Sequence, residues 1–205
     1  ISYIKNICYE DSRFKYITQS RNSSGIYGAM NVGFKNVSTN EWLLFLGSDD
    51  WLASDDVLFK INKLNKKPRD YHFLLGNAIY VENENVLLRN SFFNFFKSFN
   101  LSLFLGSTPA HQGTFYSYLL KKEKFNEKYK LAADLEFFLR ISKLKDLNLF
   151  ITNQVITYMS NGGVSQKYFF LRIKEVIKAY HKYYGFVFFI PLFLRYSKRL
   201  ISLFN

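Results

Sequence analysis

The most constraining feature of this chain is the segment Trp42–Trp51, WLLFLGSDDW, where an unbroken apolar run stops at Gly47 and passes at once into two adjacent carboxylates. The run Trp42–Leu46 is too short for a buried helix and predicts a buried strand of a parallel sheet. Open α/β sheets bind ligands beyond the carboxyl ends of their strands, where Asp49 and Asp50 fall. Neighbouring carboxylates repel each other unless a cation lies between them and a ligand. Hard divalent ions take oxygen donors and often join one or two carboxylates to a phosphate chain. A solvated turn, with Asp49 capping the next helix, is the other reading of the same residues.

The flanking pattern alternates helix and strand. Ile1–Cys8 reads as the end of a helix and Phe14–Thr18 as a short strand, followed by a polar loop over Gln19–Gly25. Ile26, Met30, Phe34 and Val37 share one face of a predicted helix over Ile26–Val37. Ser54 is placed to cap a helix whose first turn holds Asp55 and Asp56 and whose apolar face is Val57, Leu58, Ile61 and Leu64. Tyr71–Val81 and Val86–Leu88 predict a hairpin around Glu82–Asn85, and Thr114–Leu120 a further strand. Leu135–Leu144 predicts a helix opened by Asp134, and two short strands follow at Leu147–Ile151 and Val155–Met159. Gly162–Gly163 marks a break. Strands alternating with helices predict an α/β layered fold.

Two stretches of the chain resemble family 2 glycosyltransferases with the GT-A fold. In the first, GIYGAMNVGFKNVSTNEWLLFLGSDDWL, the residues Gly25, Ile26, Tyr27, Ala29, Met30, Asn31 and Gly33 match, and Ser48-Asp49-Asp50 fall on the family's Asp-X-Asp motif in its Ser-Asp-Asp form. The chain departs from the pattern at Gly28, where the family often has Asp. The second stretch, TPAHQGTFYS followed by FNEKYKLAADLEFFLRI, is similar to the family's acceptor half.

The resemblance implies a mixed central sheet flanked by helices, and a nucleotide-sugar donor held with Mg2+ or Mn2+. Asp50 is then the metal ligand, Asp49 contacts the ribose or the metal's outer shell, and Asn31 joins the substrate side. Asp134 matches the catalytic base, which takes the proton of the attacking acceptor hydroxyl in an inverting transfer. As a plain residue in sequence, Asp134 is equally a helix cap. Glu136, the reserve carboxylate, projects about 200° away on a helix, so only one of the two faces the cleft. His111 and Gln112 are expected at sugar hydroxyls or the diphosphate, with a structural His as the alternative; His72 and His181 read as non-catalytic. Gly163, in a Gly-Gly-Val-Ser loop, is expected near phosphates through backbone NH groups. Family members open with a strand–helix–strand unit, so Ile1 is expected to lie just beyond it.

Composition narrows the partners. The net charge is +12, yet Lys and Arg are scattered until the C-terminus and form no nucleic-acid signature, so nucleic acid is excluded as a partner. The single cysteine, Cys8, excludes an intrachain disulfide and a multi-cysteine zinc site, and fits a reducing compartment. Tyr168–Asn205 interleaves Phe-rich runs with Lys and Arg, broken at Gly185 and Pro191. That pattern suits an interfacial helix on anionic lipid, or else a helix that completes the core or a dimer contact. The expected organisation is a partial GT-A catalytic domain over residues 1–165 and a basic amphipathic tail over 166–205. The expected location is cytoplasmic, on the inner face of the membrane, where a glycan or lipid-linked acceptor of surface polysaccharide synthesis is met. The alternatives are an inactive truncated remnant and a basic module that binds membrane or polyanion.

Overall fold

The computed structural model describes residues 2–19, 25–81, 87–91, 93–160 and 167–201. In chain order the elements are α1 (Ser2–Glu10), α2 (Gly25–Asn36), β1 (Trp42–Leu44), β2 (Asp50–Leu52), α3 (Val57–Lys63), β3 (Phe73–Val81) and β4 (Leu87–Ser91). They continue as α4 (Phe99–Phe104), β5 (Thr114–Ser117), α5 (Ala133–Ile141), β6 (Leu149–Ser160), α6 (Phe169–Tyr184) and α7 (Phe189–Ile201). The strands form one mixed sheet in the order β1-β5-β3-β6-β2, with β4 also paired to β3. Only β3 and β6 run parallel; the other pairs are antiparallel.

Period-two alternation distributes each strand's side chains to two cores. Leu43, Phe73, Leu75, Tyr116, Leu149 and Ile151 face the main core, which α2, α4, α5 and α6 cover. Trp42, Leu44, Leu74, Phe115, Phe150 and Ile156 face a smaller one under α3. The main core is largely aromatic: Phe34 packs at 5.7 Å from Tyr116 and 5.8 Å from Phe137, and Phe125 lies 4.6 Å from Phe137 between ring centroids. Offset and edge contacts of this kind add to the area burial that drives the fold. Helix α6 belongs to the same core through Val176, Ala179 and Tyr180.

Several expectations are corrected. Trp42–Leu46 yields the short strand β1, half-buried, at the end of the strand order and antiparallel to β5. Its continuous apolar run reflects cover on both faces, which says nothing of strand direction. Phe14–Thr18 pairs with no strand among the described residues and is exposed. Ile26 is exposed, and Tyr27 takes its place in the core. Helix α3 starts at Val57; the Ser54 hydroxyl bonds Asp56 Oδ1 at 2.7 Å, and Leu58 is exposed. The two strands expected near the end are one, β6, with exposed Asn153 and Gln154 at a shift in register. Gly76 sits opposite this irregularity, where a Cβ would lie 2.4 Å from Ile156 Cγ1. Pro191 does not interrupt α7: it stands in the first turn, where a missing NH leaves no helix bond unmade. The β3–β4 pairing is as expected, while its Glu82–Asn85 turn lies outside the described residues.

Candidate active site

The donor-side turn is built by Gly47. The backbone NH of Gly47 donates to Asp50 Oδ2 at 2.8 Å, and the NH of Asp50 reaches Gly47 O at 3.3 Å. A Cβ at Gly47 would meet Asp50 Oδ2 at 2.8 Å and Asp49 Oδ1 at 2.9 Å, so both carboxylates crowd one spot that only glycine leaves open. Among the described residues neither carboxylate has an ion pair. Two unneutralised carboxylates with one oxygen pinned to an NH are a fitting donor set for a hard divalent cation. Among the described residues there is no group of three or more protein ligands, so such an ion would complete its shell with water and phosphate oxygens.

Opposite this turn stands the segment after Pro109. The one-turn 3-10 helix His111–Gly113 is closed by Thr114 Oγ1 donating to Ala110 O at 2.8 Å. Thr157 Oγ1 donates to Gln112 O at 3.2 Å, which bolts the turn to β6. Thr157 is also the register partner of Leu52, two residues beyond Asp50, so one strand aligns both features. His111 lies within electrostatic reach of both Asp50 and Asp134. Burial holds the imidazole's pKa below its usual value, opposed by the two carboxylates, and Nδ1 is buried without a hydrogen-bond partner among the described residues. The neutral ring is thus the form this seat favours.

Asp134 occupies the second position of α5, not the cap; Ala132 holds the cap position and offers no side-chain bond. The stretch leading into the helix is held from elsewhere. The carboxylate of Glu175 on α6 accepts the NH groups of Lys130, Leu131 and Ala132 at 2.7, 2.8 and 3.0 Å. A carboxylate in a helix's first turn is favoured by the dipole. Asp134 Oδ1 accepts a long bond of 3.4 Å from the Tyr27 hydroxyl, whose own pKa is pushed well up by burial and then by the Asp134 charge. Tyr116, raised for the same two reasons, also lies in reach of Asp134. Glu136 turns the other way: it is fully buried, accepts from Lys182 Nζ at 2.8 Å and Tyr183 OH at 2.7 Å, and has Arg140 Nε at 3.7 Å.

Asp50 and Asp134 both act electrostatically on His111, with Asp49 on the turn of Asp50 and Gln112 beside His111. Asn31, expected on the substrate side, is held by protein partners. It is buried, with Nδ2 donating to Phe125 O at 3.0 Å and to Glu127 Oε1 at 2.9 Å, and Oδ1 accepting from Phe125 N at 2.8 Å. It staples α2 to the stretch leading into α5. Gly163 lies outside the described residues. Sequence reasoning missed Tyr27 as a neighbour of Asp134, although it stands inside the matching GIYGAMN segment. It also missed Glu175 and Arg195, which no local pattern marks.

The model of the family described as "Glycosyl transferase family 2" matches residues 2–134, a span that includes the acidic turn and ends on Asp134. A "PGL/p-HBAD biosynthesis glycosyltransferase" of Mycobacterium tuberculosis is 28% identical over 166 residues, covering 79% of this chain and 61% of the relative. One from Mycobacterium bovis matches to the same extent. The chain thus spans about 61% of the length of these curated relatives. Among solved structures, S. aureus TarS 1–349 superposes with a TM-score of 0.59 at 19% identity, over 89% of this chain and 53% of that one. A second TarS structure gives 0.57 at 18% identity, over 89% of this chain and 32% of that one. The shared architecture is the GT-A fold, and the chain belongs to glycosyl transferase family 2.

Proposed function

We propose that this chain transfers a sugar, with inversion, from a nucleotide-sugar donor to a glycan or lipid-linked acceptor in the synthesis of a surface polysaccharide. The observation that supports the reading is the crowding of Asp49 and Asp50 at Gly47, with Asp50 and Asp134 both acting electrostatically on the buried His111. Asp50, with Asp49 beside it, would hold Mg2+ or Mn2+, which when bound supplies charge neutralisation for the departing diphosphate. Asp134 accepts the proton of the acceptor hydroxyl as its oxygen forms the new bond to the anomeric carbon and the bond to the diphosphate breaks. The neutral His111 imidazole, Gln112 and the Tyr27 hydroxyl line the interval and orient hydroxyl or phosphate oxygens. Glu136 is excluded as base by its ion pair with Lys182.

A specific observation supports an acceptor at a lipid surface. The C-terminal helices expose Phe170 at 79%, Phe186 at 91%, Phe189 at 58% and Phe193 at 71% on a basic segment. Aromatics beside Lys and Arg fit an anionic leaflet. No described helix is long and apolar enough to cross a membrane, so the contact proposed is peripheral, on the cytoplasmic face. In this reading residues up to about 165 carry the chemistry and the remainder carries the docking face.

The test is incubation with a panel of UDP- and GDP-sugars, with and without Mn2+, following released nucleotide and the anomer formed by NMR. Metal-dependent release with inverted configuration supports the reading. Release indifferent to metal removes the metal assignment, and none with any donor in the full-length protein leaves the inactive-remnant alternative. Flotation with anionic liposomes at varied salt tests the docking face, since screening weakens a charge-driven contact.

A further inference from the structure

The last helix carries a cation into the interior. Among the described residues Arg195 is the only buried Lys or Arg, at 9% exposure. Its Nη1 bonds the Thr108 hydroxyl, and its Nε has no hydrogen-bond partner among the described residues. Tyr180 and Tyr196 lie beside it, and no described carboxylate is within ion-pair distance. A buried guanidinium without a paired anion is costly, so a position that keeps one calls for a reason. The carboxylate within its electrostatic reach is that of Asp134.

The backbone around it is equally specific. Gly106 has φ +78°, and a Cβ there would lie 2.5 Å from Arg195 N and 2.7 Å from its Cα. Helix α7 and the loop after α4 are thus in backbone contact, possible only with glycine on the loop side. Two residues separate Thr108 from His111, and one of them is Pro109, whose φ is fixed by its ring. A shift of Thr108 is therefore handed on to the His111 turn.

We propose that Arg195 is a positioning residue of the candidate site. From α7, beyond the residues the family model matches, it fixes Thr108 and through Pro109 the seat of His111. This rests on the reading of Asp134 and His111 as the site. The Tyr27 hydroxyl of α2 bonds Asp134, and His111, Tyr116 of β5 and Arg195 of α7 lie within its electrostatic reach; Glu136, Lys182 and Arg140 form their own ion-pair cluster.

The experiment compares Arg195→Met, Arg195→Lys, Thr108→Val and Asp134→Asn in the full chain. Hydrogen exchange of residues 106–112 is read beside kcat and donor KM for UDP- and GDP-sugars with Mn2+. Arg195→Met is expected to speed exchange in that segment about tenfold. It should lower kcat by about 10-fold to 100-fold with donor KM little changed, as a misplaced catalytic group does. Arg195→Lys should recover part of both, and Thr108→Val should reproduce the exchange change. A folded Arg195→Met with wild-type exchange and kcat overturns the proposal; should that variant not fold, wild-type exchange in Thr108→Val overturns it. Retained turnover in Asp134→Asn, with segment 106–112 still loosened by Arg195→Met, would instead fault the site reading and leave the anchoring of the loop standing.

Discussion

The two carboxylate sites of this molecule are held in opposite ways. The Gly47–Asp50 turn is mostly exposed and is fixed by two hydrogen bonds within itself and by the short pairing of β2 with β6. Asp134 stands on a helix buried almost all round, entered through residues 130–132 that Glu175 of α6 holds and anchored by the ion pairs of Glu136. In the proposed reading, the contrast follows from what each has to do. A cation site finished by water and phosphate oxygens tolerates an open, adaptable frame. A general base needs its oxygen fixed relative to a hydroxyl it meets for one step, and tertiary contacts supply that fixity.

If this contrast is right, the largest effect belongs to the open site. Asp50→Ala should abolish metal-dependent binding of nucleotide diphosphate, while Lys63→Ala leaves it unchanged; calorimetry of UDP with Mn2+ decides, and unchanged affinity in the Asp50 variant would remove the metal assignment. Next, Asp134→Asn should leave that binding nearly intact and lower turnover by about 100-fold or more, as for a lost general base. A fall in nucleotide affinity of the same size would mean the two sites do not divide the labour. Third, Glu175→Ala leaves three backbone NH groups without their acceptor, and should lower stability in urea by about 2 kcal/mol. An equal loss from Asp49→Ala would erase the difference in bracing.

The smallest expected effect is on pH. Burial lowers the pKa of His111 and of His72 below the usual 6.5. A histidine whose folded pKa is depressed lets the unfolded chain bind more protons, so its contribution to stability is full above 6.5 and is lost as pH falls through the folded value. Stability against urea should therefore decline below 6.5, and His111→Gln should flatten that decline. A steeper decline in that variant would reverse the sign assigned here.

The contrast also explains what could be read in advance. The acidic turn is local: apolar run, glycine and paired carboxylates are adjacent in sequence, so its position was legible from residues 42–51 even though β1 runs antiparallel. Asp134 was legible only through its flanking motif, because the residues that lead into its helix are held by Glu175, 41 residues away from Asp134 by the numbering. Arg195 stands in a segment whose pattern says only amphipathic and basic; its burial is decided by Gly106, far off in the chain. Asn31 sits in a matching motif, yet a motif does not distinguish a ligand contact from a structural staple. The strand expected at Phe14–Thr18 shows the reverse limit: alternating apolar residues need a partner strand before a ladder forms.

The central claim is that Asp50 and Asp134 share one site with His111 between them. Paramagnetic broadening tests it most directly, using a 15N-histidine-labelled full chain titrated with Mn2+ and UDP. The account predicts that His111 resonances broaden, that those of His72 and His181 do not, and that Asp50→Ala abolishes the effect. Broadening that spares His111, or that survives Asp50→Ala, would contradict it.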